Sequence, residues 1–208
     1  MSSATEPIPG VIPPPPWRLG GRAWIGLFRA DGRVSVPTGL RPLFGSRWVV
    51  IILARYLTGT LRYDELIVGT PVRRGFRVGV WVADIWVSLE RSRHAGRSIW
   101  GLPKELAEFR WHEGGVRVHD RSGLVAALQL DDGHLRHLPV CVPAAGVGQL
   151  GGDWAWTTAR VRASLGTTRL TIADWSDRLP FRPRARPVLS AAVRSFRMTV
   201  PTPRVIAA

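Results

Sequence analysis

One side chain stands apart chemically. Lys104 is the only lysine among the 29 lysine and arginine residues of this 208-residue chain. As a free base, an amine attacks a carbonyl carbon and, with loss of water, forms an imine, a reaction closed to a guanidinium. In water a lysine titrates near ~10.4 and is protonated at neutral pH, so this use requires desolvated surroundings that disfavour the ammonium. The sequence neighbours Ile99, Trp100, Leu102 and Leu106 are apolar side chains suited to wall such a pocket, with Trp100 expected on the wall itself. Other reactive residue types form poorer sets. His134 and His137 have a ligand-like spacing, but no cysteine or third histidine beside them completes a site, so no metal is expected. Cys141 is the one cysteine, excludes an internal disulfide, and is expected as a small buried hydrophobe. Gly146, Gly148 and Gly151 mimic a dinucleotide fingerprint without the βαβ pattern that would support it, so no cofactor is expected.

The stretch Gly96-Arg97, Trp100-Gly101, Pro103-Lys104 and Leu106 resembles, without a gap, the signature of the acetoacetate decarboxylase superfamily. In that family the corresponding lysine forms the imine with substrate. Tyr63-Asp64-Glu65 is similar to the family's Tyr-x-Glu segment, which implies a pocket glutamate at Glu65 with Tyr63 beside it. Gly21-Arg22-Ala23-Trp24 falls where the family places a pocket arginine, and Arg29 to Asp31 also fits the pattern. By this resemblance Arg22 would grip a substrate carboxylate with its planar fork, and Glu65 would donate and accept protons or orient water. The implied activity is that of a lyase forming a Lys104 Schiff base with a small β-keto or 2-oxo acid, leading to decarboxylation or to aldol addition and dehydration. A non-catalytic ligand-binding member of the same fold is the alternative. The family's decarboxylase carries a second lysine directly after the first, and Glu105 stands there in this chain. On a strand the two side chains would point to opposite faces, leaving desolvation to act on Lys104 alone.

These residues need elements to hold them. Short runs rich in Val, Ile, Trp and Leu, separated by Gly, Pro and Asp, read as strands at Ala23 to Arg29, Trp48 to Arg55, Glu65 to Val72 and Val78 to Val87, the last buried on both faces. A hairpin is expected around Glu113-Gly114-Gly115, with further strands at Leu124 to Leu130, Trp154 to Ala163, Thr168 to Ala173 and Val193 to Val200. One helix, Leu89 to Ser98, is expected between an N-cap at Ser88 and a stop at Gly101 and Pro103. The fold class is therefore mainly β, an antiparallel sheet that closes into a barrel or folds into a sandwich, with one short helix before the lysine motif; the resemblance implies the first, a strongly curved sheet closing into a cone-like β-barrel. Residues 1–16 read as a proline-rich arm, 17–200 as the barrel domain and 201–208 as a tail; Arg178 to Pro187 also reads as a surface or subunit-wrapping segment.

Composition limits the partners. The 45% hydrophobic and 21% charged content is that of a folded globular chain. The net charge of +14 is spread from Arg18 to Arg204 without a dense patch, so no nucleic acid is expected. No apolar run approaches the roughly 20 residues of a membrane helix, and no basic, apolar leader opens the chain, so no membrane and a cytosolic site are expected. The family resemblance adds a small keto-acid substrate and a homo-oligomer.

Overall fold

The computed structural model describes residues 11–132 and 138–208. Its strands are β1 (Trp17–Gly32), β2 (Arg41–Pro42), β3 (Trp48–Gly59), β4 (Tyr63–Arg74) and β5 (Arg77–Val87), followed by helix α1 (Glu90–Trp100). There follow β6 (Lys104–Leu106), β7 (Glu108–His112), β8 (Gly115–Asp120), β9 (Gly123–Asp132) and β10 (Leu138–Leu150). The chain ends through β11 (Asp153–Gly166), β12 (Thr168–Trp175), β13 (Phe181–Pro183), β14 (Leu189–Val200) and β15 (Arg204–Ile206).

Seven strands close into a ring in the order β4, β3, β1, β14, β11, β10, β5, with β5 returning to β4. The expected β barrel is present, but it is mixed rather than wholly antiparallel. Strand β10 meets β5 in parallel at Gly146–Val80 and Val147–Trp81, and β6 lies parallel to β5 through Lys104–Ile85. Parallel neighbours need a crossover between them, and α1 supplies the one from β5 to β6. A second sheet, β12-β9-β8-β7, covers part of the barrel's outer face. Trp24, Phe28, Ile51, Leu53, Leu66 and Val68 of the barrel meet Val116, Val118, Leu128 and Leu170 of that sheet in one buried cluster. A second cluster, with Trp17, Leu19, Tyr56, Tyr63, Ala95, Trp100 and Phe196, fills the barrel interior beneath α1.

Strand alternation sends odd-numbered residues of β4 inward and even-numbered ones to the covering sheet, so Tyr63, Glu65 and Ile67 share the inner face. The β4–β5 register slips between Val68–Asp84 and Gly69–Val82, leaving Ala83 as an extra residue. This bulge lets both Val82 and Ile85 face inward. A side chain at Gly69 would meet the Trp81 carbonyl oxygen at 2.3 Å, so the bulge needs glycine there.

Several local expectations change. Helix α1 runs two residues further than expected, ending where Gly101 takes the left-handed conformation (φ 61°) and donates its N–H to the Gly96 carbonyl. Its N-cap is Leu89, without a side-chain cap; the Ser88 hydroxyl instead accepts from the Asp64 N–H at 2.9 Å and ties α1's entrance to β4. Strand β5 is buried on both faces only at its C-terminal end, since Val78 is exposed. Cys141 is exposed on β10, a strand whose first half has β11 on one edge only, so it is not a core residue. Within the stretch read as surface, Phe181 is buried and β13 pairs with β1. Within the tail, β15 pairs with β11. Residues 1–10 of the arm, and His134 and His137, lie outside the described residues. Among the described residues no helix is long and apolar enough to cross a membrane, and no cluster of metal-ligating side chains occurs.

Candidate active site

Lys104 enters the barrel interior from a very short strand. It is the first residue of β6, and alternation turns Lys104 inward and Glu105 outward, leaving the lysine 4% exposed and the glutamate at the surface. Arg97, one turn from the end of α1, fixes that strand from outside. Its Nε donates to the Lys104 carbonyl at 2.6 Å and its Nη2 to the Glu105 carboxylate, so the residue in place of a second lysine holds the backbone instead of facing the pocket. Gly96 clears the path: a Cβ there would stand 2.3 Å from Lys104 Cδ, so the lysine stem lies directly against the helix.

At the end of that stem, Nζ donates to Glu65 Oε2 at 2.6 Å and to Ser92 Oγ at 3.0 Å, and it lies 5.2 Å from the centre of the Tyr63 ring. Both members of the ion pair have side chains no more than 5% exposed. Glu65 receives a second bond from the Tyr56 hydroxyl at 2.7 Å on Oε1. Tyr56 and Tyr63 pack ring to ring at 4.5 Å, as their places opposite one another on β3 and β4 require. Burial, and then the Glu65 carboxylate, push both phenols well above their ordinary range, which keeps them as hydrogen-bond donors.

The group opens on a cavity of about 160 Å³ inside the barrel, walled by Trp17, Leu19, Ile67, Val82, Ile85, Trp100 and Met198 among others. Trp100 is fixed by its Nε1 bond to the Pro201 carbonyl at 2.9 Å and by an edge contact with Trp17 at 4.7 Å.

The structure thus brings together Lys104, Glu65, Tyr63 and Trp100, the residues the sequence pointed to. It does not bring Arg22 to them. Arg22 lies on the other face of β1, exposed, with its guanidinium 5.5 Å over Trp24, a member of the cluster between the barrel and the covering sheet. Trp17, Leu19 and Ala23 pack in the interior cluster and Trp24 in the outer one, so plain alternation along β1 turns Arg22 outward, and Arg22 does not line the cavity. Tyr56 and Ser92 were not singled out. A signal for the first existed: the chain has two tyrosines and one lysine, and all three meet here. Ser92 carries no such mark beyond sharing α1's small, buried face with Ala95 and Gly96. One of the glycines of the false fingerprint, Gly148, has a structural use. A Cβ on Gly148 would strike the Trp100 and Gly101 carbonyls at 2.4 and 2.6 Å, and the Gln149 N–H donates to Gly101 at 2.9 Å, so β10 clamps the end of α1.

A closed, mixed β barrel with a lysine–carboxylate pair buried inside it defines a class of enzyme-like fold, and comparison with known proteins gives it a family. The chain belongs to the acetoacetate decarboxylase family, whose model matches residues 8–138. An acetoacetate decarboxylase structure superimposes with a TM-score of 0.72 at 18% identity, covering 94% of this chain and 91% of that one. The acetoacetate decarboxylase of Legionella pneumophila gives 0.68 at 18%, covering 98% and 93%. The enduracididine biosynthesis enzyme MppR, in complex with pyruvate, gives 0.71 at 16%, covering 95% and 92%. No curated protein sequence matches this chain.

Proposed function

We propose that this chain is a Schiff-base enzyme in which Lys104 condenses with a small carbonyl compound held in the barrel cavity. The observation that carries the reading is the buried Lys104–Glu65 pair at 2.6 Å, opening on an apolar cavity. Glu65 is placed to take the ammonium proton as a substrate carbonyl arrives. The amine then attacks, and the carbinolamine loses water as Glu65 returns the proton to the departing hydroxyl. The resulting iminium draws electrons from its neighbouring carbon. Loss of carbon dioxide from a β-keto acid, or of a proton to Glu65, gives an enamine. That enamine either takes up a proton or adds to a second carbonyl in an aldol step that dehydration completes. Tyr56 holds Glu65 from one side and Ser92 holds Nζ from the other, so both atoms are fixed before substrate binds. Support for a carbonyl ligand also comes from the relatives, one of which is described with pyruvate and with its condensation product with an aldehyde. Incubation with acetoacetate, pyruvate or simple ketones and borohydride should add the reduced substrate's mass to the protein. If no carbonyl compound is trapped, the proposal fails.

A further inference from the structure

We infer that the Lys104 cavity is matched to an uncharged carbonyl compound, a small ketone or aldehyde, and discriminates against keto acids. The inference rests on the Schiff-base reading and narrows its substrate. Among the described residues lining the cavity there is one cation, Lys104, and one anion, Glu65, already paired at 2.6 Å. The remaining lining is aliphatic or aromatic apart from the hydroxyls of Tyr56, Tyr63 and Thr157, the Met198 thioether, and the indoles of Trp17 and Trp100, whose N–H groups are given to the Pro13 and Pro201 carbonyls. Among the described residues no arginine lines it, and the arginine expected to hold a substrate carboxylate stacks over Trp24 on the far side of β1.

Charge bookkeeping follows the reaction. The ammonium and carboxylate of the resting pair sum to zero. Condensation of the amine with a neutral ketone, counted with the proton that Glu65 first removes and then returns, replaces the ammonium by an iminium and releases water. The pair remains neutral. A keto acid brings the same carbonyl and one more carboxylate, which would be stripped of water beside Glu65 with no cation left to meet it. With a neutral substrate, the iminium loses an α-proton to Glu65 and the resulting enamine adds to a second carbonyl. In the reverse direction the iminium of a β-hydroxy ketone gives its hydroxyl proton to Glu65, its Cα–Cβ bond breaks, and a carbonyl compound leaves the enamine on Lys104. Both balance without oxidant or reductant. Decarboxylation is then not the native reaction.

Matched pairs test this on the full chain: acetoacetate against 2-pentanone, and pyruvate against 2-butanone, each trapped with borohydride and followed by intact mass. The ketone of each pair should reach half-maximal trapping at a concentration at least about tenfold lower than its acid. Half-maximal trapping by the acids at equal or lower concentration would overturn the inference while leaving the Schiff base standing. Trapping of neither class would remove the Schiff-base reading, and the inference with it.

Discussion

At the level of single residues, a lysine and a glutamate with side chains no more than 5% exposed hold one another in a barrel, and each is costly to leave alone. Removing one member of a buried pair strands the other's charge and typically costs about 3–5 kcal/mol, whereas replacing both with apolar groups of similar size is often neutral or stabilising. Lys104→Met alone should therefore lower unfolding stability by about 3–5 kcal/mol, and adding Glu65→Leu should recover most of that loss in the same denaturant titration. Losses that simply add would show that the pair is not coupled. Legibility in sequence follows the same logic. Lys104 could be read because a lone lysine in a motif is a rare event, and Glu65 and Tyr63 because Tyr63-Asp64-Glu65 is similar to the family's Tyr-x-Glu segment; alternation on β4 is what puts both on one face. Arg22 entered the site through the family likeness alone, and alternation along β1 puts it on the face of Trp24, opposite Trp17, Leu19 and Ala23, a facing that a likeness in sequence does not carry. Asp84 on β5 gives the residue scale a pH test. Burial raises its carboxyl above the ordinary value, so the folded state holds the proton more tightly than the unfolded chain. Its relative stabilisation is complete below the unfolded value and is lost as pH rises through the folded one. Asp84→Asn should melt higher than the parent at pH ~7, with the gap closing as pH falls below the ordinary carboxylate range; an equal gap at all pH values would contradict this.

At the level of elements, α1 and β6 act as a holder for one side chain. The helix gives the lysine a glycine to lie against, a serine to bond and an arginine that grips its backbone from outside. Gly96→Ala separates positioning from folding, because alanine at a helix interior favours the helix by about 0.5–1 kcal/mol while its methyl would overlap the Lys104 stem. Helical circular dichroism should be kept, and the rate of imine trapping should fall by as much as about 10²-fold, the usual cost of displacing a reacting group by about an ångström. An unchanged rate would mean that the stem relocates freely. The helix itself was readable from its flanking glycine and proline, but its true start was not, since Ser88 spends its hydroxyl on Asp64 of β4, a partner 24 residues upstream. Strand β6 was foreseeable only as a condition on Lys104 and Glu105, because three residues carry too little alternation to declare a strand.

At the level of the whole molecule, closure is what makes the site. The density of short strands and the need to hide their edges pointed to a barrel or a sandwich, and the family likeness selected the closed, curved barrel. The parallel contact of β10 with β5 that completes the ring involves two residue pairs far apart in sequence, which no local pattern encodes. That contact sets Gly146 beside Val80 and leaves Gly148 and Gln149 to clamp the end of α1, so the barrel's last seam and the lysine's holder are one assembly. The C-terminal segment joins it through Pro201, which anchors Trp100, and β15, which pairs with the start of β11. Since the chain contains one lysine, the decisive measurement is unusually clean: borohydride trapping with a small ketone or keto acid, followed by peptide mapping. The account predicts a reduced adduct on Lys104, absent from Lys104→Met. A carbonyl compound that binds or turns over equally well in that variant, with no adduct on Lys104 in the parent, would contradict it.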